Sequence, residues 1–584
     1  MQTFKRELAA AIAAVADVPP ETLEGLFSSP PDRSLGDLAL PCFPLAKLRK
    51  TAPPQIAAEL AEADLGVPWV EEVRATGPYL NFRFDRGRFS TAALAELRAA
   101  GEEYGRSETG RERTVVIDYS SPNIAKHLAV HHLRSTMLGQ AMANLFRAAG
   151  YRVVGVNHLG DWGTSFGKLL CAMEHFGEAE GLTARPLAER DDPIATLNSL
   201  YTRFHAEMET RPELEEEARE WFRRLETGDP LARARWREIR DLSLARFQRL
   251  YDRLGVSFDE VIGESAFEER MGTVVEELEA SGLLEESEDA QVVSVGEDVP
   301  PFLVRKKDGT TLYGTRDLAA VQQRWETWHF DRCLYVVDAG QGLHFRQLFT
   351  VVEKLGWPCA DRLEHSAFGV MRMPVEGPAG RLSGWAKGRT RDGRVVLLEE
   401  VLDHAVECAR RAMEEKGAEV DDPEATAEAV GVGAVIFSDM KARRGKDVNF
   451  DLDKIVSFEG ETGPYLQYTH VRFCGILRKA AGYSVSEATG QHLDGEADLA
   501  LLQEVLLFPE VVARAAEEAE PSIVGQYLLG LASSFNAYYA QHRVLDDDPA
   551  ARGRTTDRLA LVDRLRVTFR NGLRWLGIAP LERM

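Results

Sequence analysis

An excess of positive charge, paired cysteines and long apolar runs are all missing from this sequence, and each absence closes off a class of function. Lysine and arginine total 70 against 93 aspartates and glutamates, a formal charge of −23. That balance excludes a protein coated in positive potential for indiscriminate nucleic-acid binding, while leaving room for RNA held by local patches. The six cysteines, Cys42, Cys171, Cys333, Cys359, Cys408 and Cys474, form no C-x-x-C pair. Scattered thiols of this kind point to a reducing compartment, to buried packing roles and to no protein-bound structural metal. No apolar run is long enough to span a bilayer, so a cytoplasmic protein with no membrane partner is expected. Lys5 and Arg6 followed by LAAAIAAVA resemble a signal peptide only superficially, because Leu8, Ile12 and Val15 fall at helical spacing and predict an amphipathic first helix.

What is present is a globular composition, 44% hydrophobic, on a chain of 584 residues that is too long for one core. Residues 1–108 read as a small α+β domain, with helices near 2–16 and 54–64 and a two-faced strand in GPYLNFRF. The polar run 101–113 reads as a linker. Residues 109–397 read as α/β: strand TVVIDYS, helix 132–148, strand YRVVGVNHL, a charged helical insertion from about 172 to 260, and strands over 333–340 and 365–370. Strands joined by helices imply a Rossmann-type parallel sheet with ligands at its carboxyl edge. Residues 398–584 carry helical periodicity almost throughout and predict a helical bundle, in which Phe535, Tyr538 and Tyr539 read as core or seam.

The most informative stretch is Thr114–Thr136, TVVIDYSSPNIAKHLAVHHLRST. A β-branched run breaks at Ser-Ser-Pro-Asn and continues into a helix start carrying Lys126, His127, His131 and His132. The first turn of a helix has unpaired N–H groups and the positive end of the dipole, so this is a phosphate-facing constellation. The same histidines, with His158 and Asp161, would also suit a metal-dependent hydrolase, although no H-E-x-x-H arrangement accompanies them.

SSPNIAK followed by HLRST, then VNHLGDWGT, YGTRDLAA (313–320), YVVDAGQGLHF (335–345), FEGETGPYLQYTHVR (458–472) and the terminal LGIAPLERM together resemble the arginyl-tRNA synthetases, class I enzymes with a HIGH motif. The resemblance implies an arginine–tRNA ligase that uses ATP with Mg²⁺, L-arginine and tRNA(Arg), and a monomer is expected. It places the HIGH tetrad on Ala129, Val130, His131 and His132, so the first histidine is alanine and the motif glycine is His131. Either ATP sits differently here or the His131 ring turns away. KGRTRDG (387–393) occupies the place of the mobile KMSK-type loop, with Asp392 where many members have lysine, and Lys126 would compensate for that loop.

By the same resemblance, Lys126, His132, Lys387 and Arg391 are the catalytic candidates, and Ser121, Pro122, Asn123, His132, Glu264, Tyr313, Asp317 and Gln341 would hold arginine. ATP would meet His131, His132, Gly160, Asp161, His344, Lys387 and Thr390. The tRNA would meet the N-terminal domain, the basic segment Lys441, Arg443, Arg444 and Lys446, and Tyr465, Tyr468, Asn536 and Tyr539. A guanidinium is planar and permanently charged, so its pocket needs fixed carboxylates; Tyr313 and Asp317, four apart, would share one helix face. Plainer roles exist for each: Asp317 as a helix-start carboxylate, Tyr313 as a core aromatic, Gln341 as a helix cap. The altered tetrad also fits a synthetase paralogue kept for binding tRNA or arginine without ligation.

Overall fold

In the computed structural model, which describes all residues except 288–289, 307–312, 377–381, 388–394, 416, 418–419 and 547, the chain opens with helix α1 (Gln2–Ala16). Its buried stripe is Phe4, Leu8 and Ile12 with Ala9, Ala13 and Ala16. Val15, at helical spacing from Leu8 and Ile12 but in the last turn of the helix, is exposed. Helices α2 (Phe43–Arg49), α3 (Pro53–Ala61) and α4 (Arg86–Ala100) surround an antiparallel sheet of β1 (Leu38–Pro41), β2 (Val70–Thr76) and β3 (Tyr79–Phe84), in the order β1-β3-β2. Leu80, Phe82 and Phe84 point into the core as the alternation predicts.

The polar run after α4 is not a free linker. Tyr104 is buried and donates its hydroxyl to the Val505 carbonyl at 2.8 Å, while Asn571 donates to the Glu102 and Tyr104 carbonyls. Gly105, at φ 99°, sits so close to Phe508 and Trp575 that a Cβ would collide with both rings. Segments more than 400 residues apart in sequence are therefore packed together, which a local composition cannot reveal.

The central sheet is parallel throughout, built from β4 (Thr114–Asp118), β5 (Arg152–Leu159), β6 (Glu260–Gly263), β10 (Arg332–Tyr335) and β11 (Leu363–His365) in the order β11-β10-β4-β5-β6. Between β6 and β10 the chain forms a small antiparallel sheet of β7 (Leu284–Ser287), β8 (Ala290–Val293) and β9 (Phe302–Lys306). Along β4, Val115 and Ile117 join one core and Val116 the other, so both faces are covered and the strand reads as one continuous apolar run. Helix α5 (His132–Ala148) packs on β5 and β4, and α10 (Glu268–Ala280), α11 (Tyr313–Trp328) and α12 (Gly342–Lys354) cover the opposite face. β10 and β11 are shorter than expected, because past Tyr335 and His365 the chain turns out of the sheet; Asp338 accepts from the Gly340 N–H and fixes a tight turn there.

Between β5 and β6 come α6 (Thr164–Phe176), α7 (Pro193–Met208), α8 (Glu213–Glu226) and α9 (Pro230–Leu254). Helix α8 shows why its charge run is a surface: Leu214, Ala218, Trp221, Phe222 and Leu225 are buried on one side and Arg219 pairs with Glu215 on the other. After β11 a hairpin of β12 (Met371–Glu376) and β13 (Leu382–Lys387) is joined in parallel by β14 (Val448–Asn449), which ties the hairpin to the helical region. That region comprises α13 (Leu398–Glu415), α14 (Pro423–Met440), α15 (Leu452–Ile455), α16 (Gly463–Lys479), α17 (Glu496–Leu506), α18 (Phe508–Glu517), α19 (Ser522–Gln541) and α20 (Arg552–Trp575). Among the described residues no helix is long and apolar enough to cross a membrane.

Candidate active site

The carboxyl ends of β4 and β5 are joined by a loop that takes an unusual path. Ser120, Ser121 and Ala125 all have positive φ, at 71°, 47° and 61°. Left-handed backbone at a non-glycine residue costs about 1–3 kcal/mol and persists where surrounding contacts dictate it. Those contacts are present. Ser120 N–H donates to Ser135 Oγ at 2.9 Å, Ser121 N–H to Asn157 Oδ1 at 3.1 Å, and Ala125 N–H to Ser243 Oγ at 2.9 Å. Ser121 Oγ donates to Asp118 at 2.7 Å, and Asp118 pairs at 2.6 Å with Arg324, which is almost wholly buried on α11.

Asn123 lies directly over Gly160, where a Cβ would sit 1.8 Å from Asn123 Oδ1, so only glycine admits this approach. Pro122, itself buried, accepts the Gly160 N–H at 3.1 Å. Gly160 thus shapes the loop that presents Ser121 and Asn123. Asp161, expected at ATP, is fully buried, and its carboxylate accepts from Ser265 N–H and Oγ at 2.9 and 2.8 Å. A carboxylate with no exposed surface and its oxygens engaged cannot touch a nucleotide, which corrects that expectation.

On the other side of the loop is the mouth of α5. His132 begins the helix, and the Ala129 N–H donates to its Nδ1 at 3.0 Å. The Ala129 carbonyl lies 3.2 Å from the same nitrogen, so Nδ1 accepts from the N–H in one tautomer and donates to the carbonyl in the other. Burial, with His131 and Lys126 nearby, pushes the His132 pKa down to about 3, so the ring is a neutral N–H donor at physiological pH. His131 is exposed, its ring centroid 4.1 Å from that of His132, and Lys126 is exposed beside Asn123. The tetrad is also tied to the far end of the second signature loop: Val130 N–H donates to Val396 O and Leu398 N–H to Leu128 O. Lys387 ends β13, whereas Thr390 and Arg391 lie outside the described residues.

The third side is acidic. Glu264 follows β6, with Arg316 at 3.7 Å. Burial pushes its carboxyl up to about 7; Arg316 opposes the shift, and Asp317 and Asp161 add to it. Asp317 accepts from or pairs with His344 Nε2 at 2.7 Å, and the Tyr313 ring lies 5.1 Å from that of His344. Tyr313 is 58% exposed, so it is no core aromatic. Gln341 stands at the cap position of α12, exposed, and its side chain makes no cap bond. Tyr313, Asp317 and His344 are therefore gathered in one place, with His344 on the acidic side.

The histidines proposed for a hydrolytic metal are dispersed. His127 bonds Asp192, His132 the Ala129 backbone, and His158 stacks on Phe267 beside Arg324. Among the described residues they form no three-ligand group.

Three family models match successive parts of the chain. The family described as tRNA synthetases class I (R), catalytic domain, matches residues 94–452. The Arginyl tRNA synthetase N terminal domain matches residues 2–84, and the DALR anticodon binding domain matches 466–584. The arginine–tRNA ligase of an Exiguobacterium species is 44% identical over the whole of both chains, and arginine–tRNA ligase 1 of Bacillus cereus is 44% identical over 96% of this chain and 95% of its own. This chain belongs to the arginyl-tRNA synthetase family. Among solved structures, the Thermus thermophilus arginyl-tRNA synthetase is 28% identical with a TM-score of 0.76, covering 100% of this chain and 99% of its own. The Plasmodium falciparum enzyme, 22% identical at a TM-score of 0.78 over 100% and 98%, shares the fold.

The basic segment 441–446, expected at tRNA, takes part in a buried joint of this arginyl-tRNA synthetase. Arg134 of the HLRST block is 1% exposed and donates to Asp439 and to the carbonyls of Gly369, Arg444 and Lys446. Arg444 in turn donates to the Glu518 and Ala519 carbonyls. Its guanidinium is locked in this joint and is not presented to RNA, whereas Arg443 and Lys446 are exposed and Lys441 reaches the Glu461 carbonyl. On α16 and α19, Asn536 donates to Tyr465 and accepts from Arg472, which lies over the Tyr468 ring. Tyr468 and Tyr539 are exposed, Tyr539 stacking on buried Phe535 with Tyr538 buried beside it. Sequence reasoning missed Asp118, Arg324 and Arg472; a carboxylate closing the apolar run of β4 was the one available signal.

Proposed function

We propose that this protein is an arginine–tRNA ligase of the cytoplasm, acting as a monomer, which converts L-arginine and ATP to arginyl-adenylate and pyrophosphate and then esterifies the terminal ribose of tRNA(Arg). The carrying observation is the pairing of a half-buried acidic pocket with the mouth of α5 across one strained loop. A guanidinium placed among Glu264, Asp317 and Tyr313 would relieve the mutual repulsion of the carboxylates, and Ser121 and Asn123 would orient the amino-acid end. The arginine carboxylate attacks the α-phosphorus; the new P–O bond forms as the bond to pyrophosphate breaks, and no protein nucleophile is needed. His132, in its Nε2–H tautomer, and Lys126 stabilise charge on the phosphate oxygens, the histidine as a neutral donor and the lysine as the cation. Mg²⁺ enters as part of the ATP substrate, since Asp118 and Asp161 at this edge are already engaged. In the second step a ribose hydroxyl attacks the arginyl carbonyl, AMP leaves with the bonding electrons, and the hydroxyl proton is lost.

The C-terminal helices would hold the anticodon arm through Tyr468, Tyr539 and exposed cations, and the N-terminal domain the tRNA corner. Binding of this kind weakens steeply with salt, in keeping with a basic patch on an acidic protein. A second reading, binding of arginine or tRNA without ligation, is favoured by Ala129 and His131 in the tetrad. Arginine- and tRNA-dependent formation of charged tRNA decides between them. Product formation supports the ligase, and folded protein that binds both substrates yet yields no product overturns it.

A further inference from the structure

The sequence has no C-x-x-C pair, and among the described residues the motif histidines join no group of three ligands. A different trio converges in the helical insertion. Cys171 and His175 stand four residues apart on α6 and so share one face. That face meets α8, which contributes Glu217; His175 Nε2 and Glu217 Oε2 lie 2.6 Å apart, and all three ligand atoms lie within 4.8 Å of one another. Among the described residues this is the one such group of three.

The donor set selects the ion. A thiolate, an imidazole and a carboxylate suit a borderline-soft cation, whereas Mg²⁺ and Ca²⁺ prefer oxygen alone. Tetrahedral zinc bonds place neighbouring ligand atoms roughly 3.3–3.6 Å apart, so rotamer adjustment closes the trio around an ion. Cys171 is buried while His175 and Glu217 are at the surface, which leaves the fourth position open to water. Burial, the largest influence, keeps the Cys171 thiol protonated in the free protein; Glu217 and Glu174 add to this and would also attract a cation, whereas Arg211 opposes both.

We propose that Cys171, His175 and Glu217 form a Zn²⁺ site that ties α6 to α8. On binding, a bond forms between the ion and Cys171 Sγ, the thiol proton leaves to solvent, and the hydrogen bond between His175 and Glu217 gives way to two metal bonds. The consequence reaches the active site through α6, whose Ser165, Phe166 and Leu169 line a cavity of about 120 Å³ shared with Asn123 and Lys126. The ion would stiffen that wall.

The test uses full-length protein stripped of metal by a chelator and then equilibrated with Zn²⁺, with Co²⁺ as a spectroscopic probe. The expected result is one ion retained per chain and, with Co²⁺, a thiolate charge-transfer band together with tetrahedral ligand-field bands. His175→Ala should weaken binding by at least about 100-fold, the upper end of what losing even a ligand's partner costs. Cys171→Ser should remove the charge-transfer band. Should the buried serine prevent folding, Glu217→Gln at the surface serves in its place with the same expected weakening. Failure to retain zinc, equal retention by His175→Ala, or cobalt bound without a thiolate band would each overturn the site.

Discussion

The two sides of the sheet's carboxyl edge follow different rules. On the side proposed for arginine, Glu264, Tyr313 and Asp317 keep the residue types that the family resemblance implies, and burial, with Asp317 and Asp161 nearby, raises the proton affinity of Glu264. On the side proposed for the nucleotide, two of the four HIGH positions differ, as Ala129 and His131. The difference has a physical basis. A guanidinium is recognised by a few fixed acceptors, and removing one leaves a buried charge unpaired. Phosphate oxygens can share backbone N–H groups, a neutral imidazole, a lysine and a helix dipole, so no single donor is indispensable.

The largest test of this contrast concerns what holds the nucleotide side together. If α5 is fixed by Arg134 and not by the tetrad, Asp439→Ala, which strands Arg134 without its counter-charge, should cost about 3–5 kcal/mol in chemical denaturation. A change within experimental error would show the joint to be dispensable. On the arginine side, Asp317→Ala removes a pocket carboxylate and the His344 partner together. It should lower kcat/KM for arginine by about 2–5 kcal/mol while leaving KM for ATP nearly unchanged. Equal losses for both substrates would erase the distinction between the sides.

Lys126→Ala should slow adenylate formation by about tenfold to 100-fold, about 1.4–2.7 kcal/mol, with arginine binding intact by calorimetry. Unchanged turnover removes the lysine from the chemistry. A smaller effect is expected from pH. Glu264 is protonated below about 7 in the empty pocket, and a bound guanidinium favours its ionised form. Arginine affinity should therefore rise as pH increases through 7, with proton release on binding near that pH, whereas Glu264→Gln should flatten the profile. His132, already neutral down to about 3, should add no inflection near the ordinary histidine range. Smallest of all, His131→Gly should lower KM for ATP by about twofold, the roughly 0.5 kcal/mol of ordering one side chain.

Much of this molecule was decided locally. Apolar β-branched runs specify the buried strands, 3.6-residue periodicity the helices of the C-terminal third, and the break at Ser-Ser-Pro-Asn before a histidine-bearing helix start places a loop and a helix mouth between β4 and α5. Motif spacing carries Tyr313, Asp317 and His344 to one face because α11 and α12 are regular helices. The tertiary structure decided what local patterns cannot encode. It turned the polar run after α4 into a packed seam, took Asp161 and Arg444 out of ligand reach, and set Asp118 against Arg324 206 residues away. It also brought Cys171, His175 and Glu217 together from two helices. The reason is the same in each case: a side chain's accessibility and partner are properties of three-dimensional neighbours, and burial converts identical charges into joints, pockets or ligands according to what packs beside them.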